Sequence, residues 1–391
     1  MQGARSAIVG LGRSEISRSV IGSARSLASA AVVNAIRDAG LRPGEIDGLL
    51  LNQSALAPAG SLPLQMMDDI GLSGLRLLSM VEAKGASVLL MVQQATMAIG
   101  NGMATTVACV FADAPISPDK GGGQSFQNEA PMTGIPGWEG RYGLFGPAGS
   151  YALAAQRYMH DFGVTQAQLG EYAVTCRQWA ARNPDALLKK TLTIPEYLAS
   201  RFIAEPLRLF DCAYPVNGGM AVIVTSVERA RDLPRPPVFV HGMGQGHQTV
   251  NRLKASADEH WTAGAIAGQG AYRMAGVTPA DVTVCQFYDA FSFCAISALE
   301  DYGFCARGEA AAFIATGATR PGGSLPVNTG GGQLAAYYLQ GMTPLAEAVV
   351  QARGHGGARQ VPRNDVLLVN GSGGRLEYHA AMVLSPHASL G

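Results

Sequence analysis

Apolar residues recur on a helical period over 81–98, with Ser87, Leu90, Met91 and Ala95 on one face, and this spacing predicts a helix there. Two short apolar runs that end in glycine-rich stretches, Ala7-Ile-Val-Gly10 and Val238-Phe-Val240, predict buried strands. Further on, 289–302 and 343–353 have helical periodicity, and 366–369 reads as a strand running into Gly371-Ser-Gly-Gly374. Residues 50–66 and 112–150 are rich in Gly, Pro and Ser and predict loops. The stretch 151–228 reads as mostly helical, with a stop near Pro206, and is long enough to form an insertion over one face of what precedes it.

One pattern occurs twice. Ala35-Ile-Arg-Asp-Ala-Gly-Leu-Arg-Pro-Gly-Glu-Ile-Asp47 runs into Gly48-Leu-Leu-Leu51, and Ala271-Tyr-Arg-Met-Ala-Gly-Val-Thr-Pro-Ala-Asp-Val-Thr283 runs into Val284-Cys-Gln-Phe287. The offset is 271 − 35 = 236 positions, with Ala, Arg, Ala, Gly and Pro in register. Each copy predicts the end of an amphipathic helix stopped by glycine, a turn through proline and a buried strand. With the strand upstream of each, the chain reads as two copies of one βα unit joined near Pro234-Arg-Pro-Pro237.

Composition narrows the function classes. Apolar residues make up 48% of the chain and charged residues 15%, with 29 cations against 29 carboxylates, which excludes a disordered chain and leaves no basic footprint for nucleic acid. Charge this sparse suggests that surface is buried against another subunit. The best apolar run, 88–92, ends at Gln93 and is far too short to span a membrane. Met1 to Ser6 and the brief 7–10 run lack a signal-peptide core, so a cytoplasmic protein is expected. Six cysteines and seven histidines show no metal-ligand or disulfide spacing. Gly10-Leu-Gly12-Arg-Ser-Glu15 has Glu where a dinucleotide fingerprint needs its third glycine, and Gly242-Met-Gly244-Gln-Gly246 has the wrong spacing.

Gly371-Ser-Gly-Gly374 resembles the closing Gly-rich loop of the thiolase superfamily, and four further segments resemble other motifs of that family. Val81-Glu-Ala-Lys-Gly-Ala-Ser87 stands where that family has its nucleophile segment, and Tyr288-Asp-Ala-Phe291 where it has Asn-Glu-Ala-Phe or His-Asp-Cys-Phe. Pro326-Val-Asn-Thr-Gly-Gly-Gly332 is similar to the Val-Asn-x-x-Gly-Gly turn, and Tyr337-Tyr-Leu-Gln-Gly-Met342 falls at Gly-His-Pro-x-Gly-Ala. Arg157-Tyr-Met, Asn183-Pro, Pro206-Leu and Glu300-Asp-Tyr-Gly-Phe-Cys-Ala-Arg-Gly-Glu309 are similar to the sterol-carrier-protein branch. The resemblance implies an α/β thiolase fold of two duplicated halves, 1–235 and 236–391. Each half is expected to hold a mixed five-stranded sheet, in αβαβα layers, with an insertion at about 112–228. It also implies a homodimer paired through the first half.

The departures from that family redirect the chemistry. The nucleophile position is Gly85 and the Gly-His-Pro histidine is Tyr338, with no Cys after Cys305. Glycine cannot form an acyl-enzyme, so Claisen condensation by the usual route is excluded. The pattern resembles the steroid side-chain-cleaving aldolases of the family, in which two tyrosines replace catalytic residues. That resemblance implies retro-aldol cleavage of a bulky β-hydroxyacyl-CoA to a ketone and a short acyl-CoA such as propionyl-CoA. It assigns catalysis to Tyr288 and Tyr338, with Tyr337 as the neighbouring competitor. Gly85, Asn328, Gly331, Gly332 and Gly373 are expected to line the substrate site, and Asp289 to hold structure. No cofactor is implied beyond the CoA thioester substrate, and zinc belongs only to a small OB-fold and zinc-ribbon acyl-CoA-binding partner. The alternatives are a non-catalytic acyl-CoA- or lipid-binding subunit, and an acyltransferase using another cysteine such as Cys294. His241 is a further candidate residue.

Overall fold

The computed structural model describes residues 3–52, 62–118, 133–144, 146–249 and 262–390. Parts of the two loops predicted at 50–66 and 112–150 lie outside these residues. The first half runs β1 (Ser6–Arg13), α1 (Ala24–Asp38), β2 (Gly48–Leu51), α2 (Leu62–Ile70), β3 (Leu77–Met80), α3 (Ser87–Gly100) and β4 (Thr106–Asp113). It continues through α4 (Gly134–Arg141), α5 (Gly146–Phe162), α6 (Gln166–Ala180), α7 (Ile194–Leu198), the hairpin β5 (Phe202–Ala204) and β6 (Leu207–Arg208), β7 (Gly218–Thr225) and α8 (Val227–Ala230). The second half runs β8 (Val238–His247), α9 (Gly264–Ala275), β9 (Val284–Gln286), α10 (Ser292–Asp301), α11 (Ala310–Ala315), α12 (Met342–Ala352), β10 (Leu367–Gly373) and β11 (Tyr378–Ser385).

The strands lie in the order β3-β2-β4-β7-β1-β8-β11-β10-β9. Two similar arrays meet at β1 and β8, which pair antiparallel through Ser6↔Val240, Ala7↔Phe239 and Ile8↔Val238. Among the described residues the first half supplies five strands to this sheet and the second four. Where a fifth strand is expected in the second half, there is a single parallel bridge between Cys285 and Val327. Pairing is mixed, parallel at β2–β3, β2–β4 and β9–β10 and antiparallel elsewhere.

Period-two alternation puts the two faces of each array into different cores. On β4, Val107, Cys109 and Phe111 enter the central core, while Ala108 and Val110 pack with Val32 and Ile36 of α1. On β11, Ala380, Met382 and Leu384 face the same central core, and Ala381 and Val383 face α9 and α10. Val88, Met91 and Val92 of α3 and Leu345 and Val349 of α12 fill the space between the arrays. The layering is therefore αβαβα.

The repeat read from the sequence is present element by element. α1 and α9 end before Gly40 and Gly276, both at φ +71°. Single turns follow at Pro43–Glu45 and Pro279–Asp281, then β2 and β9. The glycine runs that tempt a nucleotide reading serve packing instead. A Cβ at Gly12 would lie 2.3 Å from Ala31 O, and one at Gly244 only 1.9 Å from Ala267 O, so bare backbone lets α1 and α9 lie directly on the sheet.

Three local expectations need correction. Residues 218–225, read within a mostly helical stretch, form β7, a strand buried along its whole length between β4 and β1. Its Met-Ala-Val-Ile-Val run fits a helix or a strand equally by hydrophobicity alone, and sheet partners on both sides decide it. α2 begins at Leu62, and α4 and α5 begin before residue 151, within stretches expected to be loops. Among the described residues no helix is long and apolar enough to cross a membrane.

Candidate active site

Tyr288 and Tyr338 meet with their hydroxyl oxygens 3.0 Å apart and their rings edge to face. Tyr288 lies in the turn between β9 and α10, where Asn370 of β10 accepts its backbone N–H at 2.7 Å. Tyr338 lies between a π-helical turn, Gly332–Ala336, and α12. Single π-helical turns are frequent at functional sites. Tyr337, the preceding residue, faces the opposite way. It lines a separate small cavity with Asn183, Asn328 and Glu347, so the phenol partner of Tyr288 is Tyr338.

Gly85 completes the site from the first half. It sits in the single turn Lys84–Ala86 that leads into α3. A Cβ there would lie 2.3 Å from Cε2 of Tyr288 and 2.0 Å from Ser372 O, so the Tyr288 ring fills the volume a side chain at this position would need. Gly373 and Gly341 close on the same turn, since Cβ atoms at those positions would lie 2.7 Å from Gly85 N and Gly85 O respectively. Glycine at all three positions allows three backbone segments to converge under the phenols.

The loops are held by buried hydrogen bonds. Asn328 donates to Tyr172 Oη at 2.7 Å and to Phe287 O at 2.9 Å, and accepts from Phe287 N at 2.6 Å. Both of its N–H groups are thus engaged within the protein. Gly331 packs on Ala180, and Gly332 on the Asp289 carboxyl, 2.1 Å from where its Cβ would stand. Asp289 accepts from Gln333 N at 2.7 Å and from Tyr172 Oη at 3.0 Å. Burial, only partly offset by these donors, pushes the Asp289 carboxyl up to about 6. Of the residues expected in the site, Gly85 lies against the Tyr288 ring and Gly373 against the Gly85 turn, whereas Asn328, Gly331 and Gly332 brace the loops behind.

Burial also dominates the phenols. It raises the Tyr288 hydroxyl well above its ordinary value, with the neighbouring Tyr338 oxygen adding to the shift. Burial pushes Tyr338 up to about 12, and the hydrogen bond from Tyr288 counteracts it. Both hydroxyls are therefore neutral at physiological pH, able to give one proton while taking another.

Tyr151, Asn370 and Gln333 escape a reading of the sequence. Tyr151 of the insertion stacks on Phe291 at 4.6 Å and donates to Gly374 O at 3.2 Å, tying the insertion to the closing glycine turn. No local motif marks any of the three, because each acts on backbone brought near by the tertiary fold. Cys294 sits close by in the first turn of α10, but burial pushes its thiol up to about 12, far from a nucleophilic thiolate. His241 lies in β8 with Nε2 2.8 Å from His387 O, engaged in the C-terminal segment.

Residues 244–386 match the family model for the thiolase C-terminal domain-like region. The chain is 37% identical to a steroid side-chain-cleaving aldolase of Thermomonospora curvata, over 94% of this chain and 95% of that one. It is 36% identical to a 17-hydroxy-3-oxo-4-pregnene-20-carboxyl-CoA lyase of Mycobacterium tuberculosis, over 90% and 93%. A solved structure titled Ltp2-ChsH2(DUF35) aldolase superposes with a TM-score of 0.87 at 35% identity, covering 98% of each chain.

Proposed function

The chain belongs to the thiolase superfamily, beside the steroid side-chain-cleaving aldolases of its sterol-carrier-protein branch, and from that premise we propose that it is a carbon–carbon lyase acting on a bulky β-hydroxyacyl-CoA. The products are a ketone and a short acyl-CoA such as propionyl-CoA. The observation that carries this proposal is the 3.0 Å contact between Tyr288 Oη and Tyr338 Oη beside a nucleophile position that has no side chain.

Retro-aldol cleavage moves one proton from the β-hydroxyl to the α-carbon. As the C–C bond breaks, its electron pair passes into the thioester as an enolate, and the β-carbon becomes a carbonyl. Two neutral phenols in contact can carry that proton without storing charge. One oxygen accepts the substrate's hydroxyl proton as it passes its own to the second, and the second protonates the enolate α-carbon. The pair returns to its starting state after one turnover. Raised phenol pKa values favour this relay over a standing phenolate base. The closely packed backbone around Gly85 and Gly373 offers N–H dipoles for the enolate oxygen.

The expected companion is a small OB-fold and zinc-ribbon protein that binds acyl-CoA, a proposal supported by the two-component title of the similar solved structure. Pairing of two copies through the first half is supported by the edge position of β3, where Leu78 is 40% exposed. The test is consumption of a steroid side-chain β-hydroxyacyl-CoA by purified protein, alone and with that companion. Cleavage by the wild type and its loss in Tyr288→Phe are expected. Binding without turnover under both conditions would instead make the protein a carrier.

A further inference from the structure

We propose that Gln333 is a positioning residue that sets the spacing of the Tyr288 and Tyr338 hydroxyls; this inference rests on the relay assigned to them above. Gln333 is fully buried, and its carboxamide joins the two segments that carry the phenols. On one side Oε1 accepts the backbone N–H of Asp289, the residue after Tyr288, at 3.1 Å. On the other, Nε2 donates to the carbonyl of Gln340, two residues after Tyr338, at 2.5 Å. The Gln333 N–H also donates to Asp289 Oδ1 at 2.7 Å, so the Tyr288 turn is gripped through both backbone and side chain.

The far end of this clamp needs an anchor. Gln340 has φ +46°, a left-handed conformation that a non-glycine residue adopts only when its surroundings impose it. Its carbonyl is turned toward Gln333 in that conformation. The next residue, Gly341, lies against the Gly85 carbonyl, where even a Cβ would approach to 2.7 Å. On either side of Tyr338, Thr343 Oγ1 donates to Tyr337 O at 3.0 Å and accepts from Leu339 N at 3.1 Å. The segment bearing Tyr338 therefore has few degrees of freedom left, and Gln333 is its direct tie to the Tyr288 turn. One planar carboxamide thus supplies the acceptor to one segment and the donor to the other.

Gln333→Glu keeps the shape and the acceptor but exchanges the amide donor for a carboxyl that donates to Gln340 O only while protonated. Gln333→Met keeps length and apolar volume but removes both. Gln351→Glu serves as control, because Gln351 is equally buried and its amide supports the Glu347–Arg359 pair instead. In both Gln333 variants kcat should fall by roughly 10- to 100-fold, with KM within about twofold, since an error of ~1 Å in placement costs about that much. The pH profile of kcat should move as well. The control should lose thermal stability and leave kcat and its pH profile in place.

An independent readout needs no substrate. With tyrosines labelled at Cζ with ¹³C, Tyr288→Phe and Tyr338→Phe assign the two resonances by their disappearance. Displacement of both resonances in the Gln333 variants, and not in the control, supports the clamp. Unchanged resonances in both folded Gln333 variants overturn it, whatever the cleavage assay gives. Absence of cleavage in the wild type would count against the relay, while the resonance shifts would still decide whether Gln333 sets the spacing of the hydroxyls.

Discussion

The aromatic ring of Tyr288 lies where a side chain on Gly85 would have to go, 2.3 Å from the Cβ position. The two residues come from different halves of the molecule and exclude each other's alternatives. A thiolase-like cysteine cannot return at 85 while Tyr288 keeps its place. Even without the ring, Ser372 O at 2.0 Å blocks the position, so restoring a nucleophile requires the backbone of β10 to move.

Gly85→Ala should therefore destabilise the protein by about 1–3 kcal/mol, as overpacked cores do, and displace the Tyr288 ring. The cost should shrink by about 1 kcal/mol in a Tyr288→Ala background, where one of the two clashes is gone. Urea denaturation of the four proteins in this double-mutant cycle checks the coupling. Additive costs would mean that the ring and the turn do not compete for space.

The three neighbouring phenol variants should separate cleanly. Tyr288→Phe and Tyr338→Phe each break the relay and should reduce kcat by at least about 100-fold, the scale of a lost proton-transfer group. Tyr337→Phe should stay within about threefold of wild type, because its ring lines the cavity on the other side of the segment. Steady-state cleavage assays, with far-UV spectra to confirm folding, decide it.

Alkylation offers a check on covalent catalysis. Cys294 is buried and its thiol is pushed up to about 12. Iodoacetamide at pH 8 should leave the native protein active and Cys294 unmodified by mass spectrometry. Inactivation that tracks carboxamidomethylation of Cys294 would revive an acyltransferase mechanism.

Stability should depend on pH in an unusual direction through Asp289. Its folded-state value of about 6 lies above the ordinary 3.8, so the native state holds its proton more tightly than the unfolded chain. This contribution is fully present below pH ~4 and is lost as pH rises through 6, by at most about 3 kcal/mol. Asp289→Asn cannot titrate. Its stability relative to wild type should improve between pH 4 and pH 7, by urea midpoints at each pH. A difference that stays flat across that range would place the Asp289 carboxyl at its ordinary value.

The parts of the fold and site that are legible in the sequence are those that depend on local rules. The Gly40–Pro43 and Gly276–Pro279 punctuation marks two helix ends and two turns, because left-handed glycine and proline act on their own backbone. Tyr288 and Tyr338 stand out by their place in motifs. β7 is hidden because a five-residue apolar run becomes a strand only through its neighbours β4 and β1. Gln333 and Asn370 are hidden for a related reason: both serve backbone N–H groups more than 40 positions away in the chain, which no spacing rule reveals. Asn328 is conspicuous, but its amide turns inward to Phe287 and Tyr172.

Both phenols ride on the second half, while the first half brings a bare peptide turn at Gly85, Tyr172 and Ala180 of α6 behind the loops, and Tyr151 of α5 against Phe291. The groups assigned to proton transfer are thereby housed apart from α5. α5 should therefore diverge more freely than α6, whose Tyr172 and Ala180 support the loops behind the phenols. Swapping α5 between relatives should retune selectivity more readily than it changes the reaction.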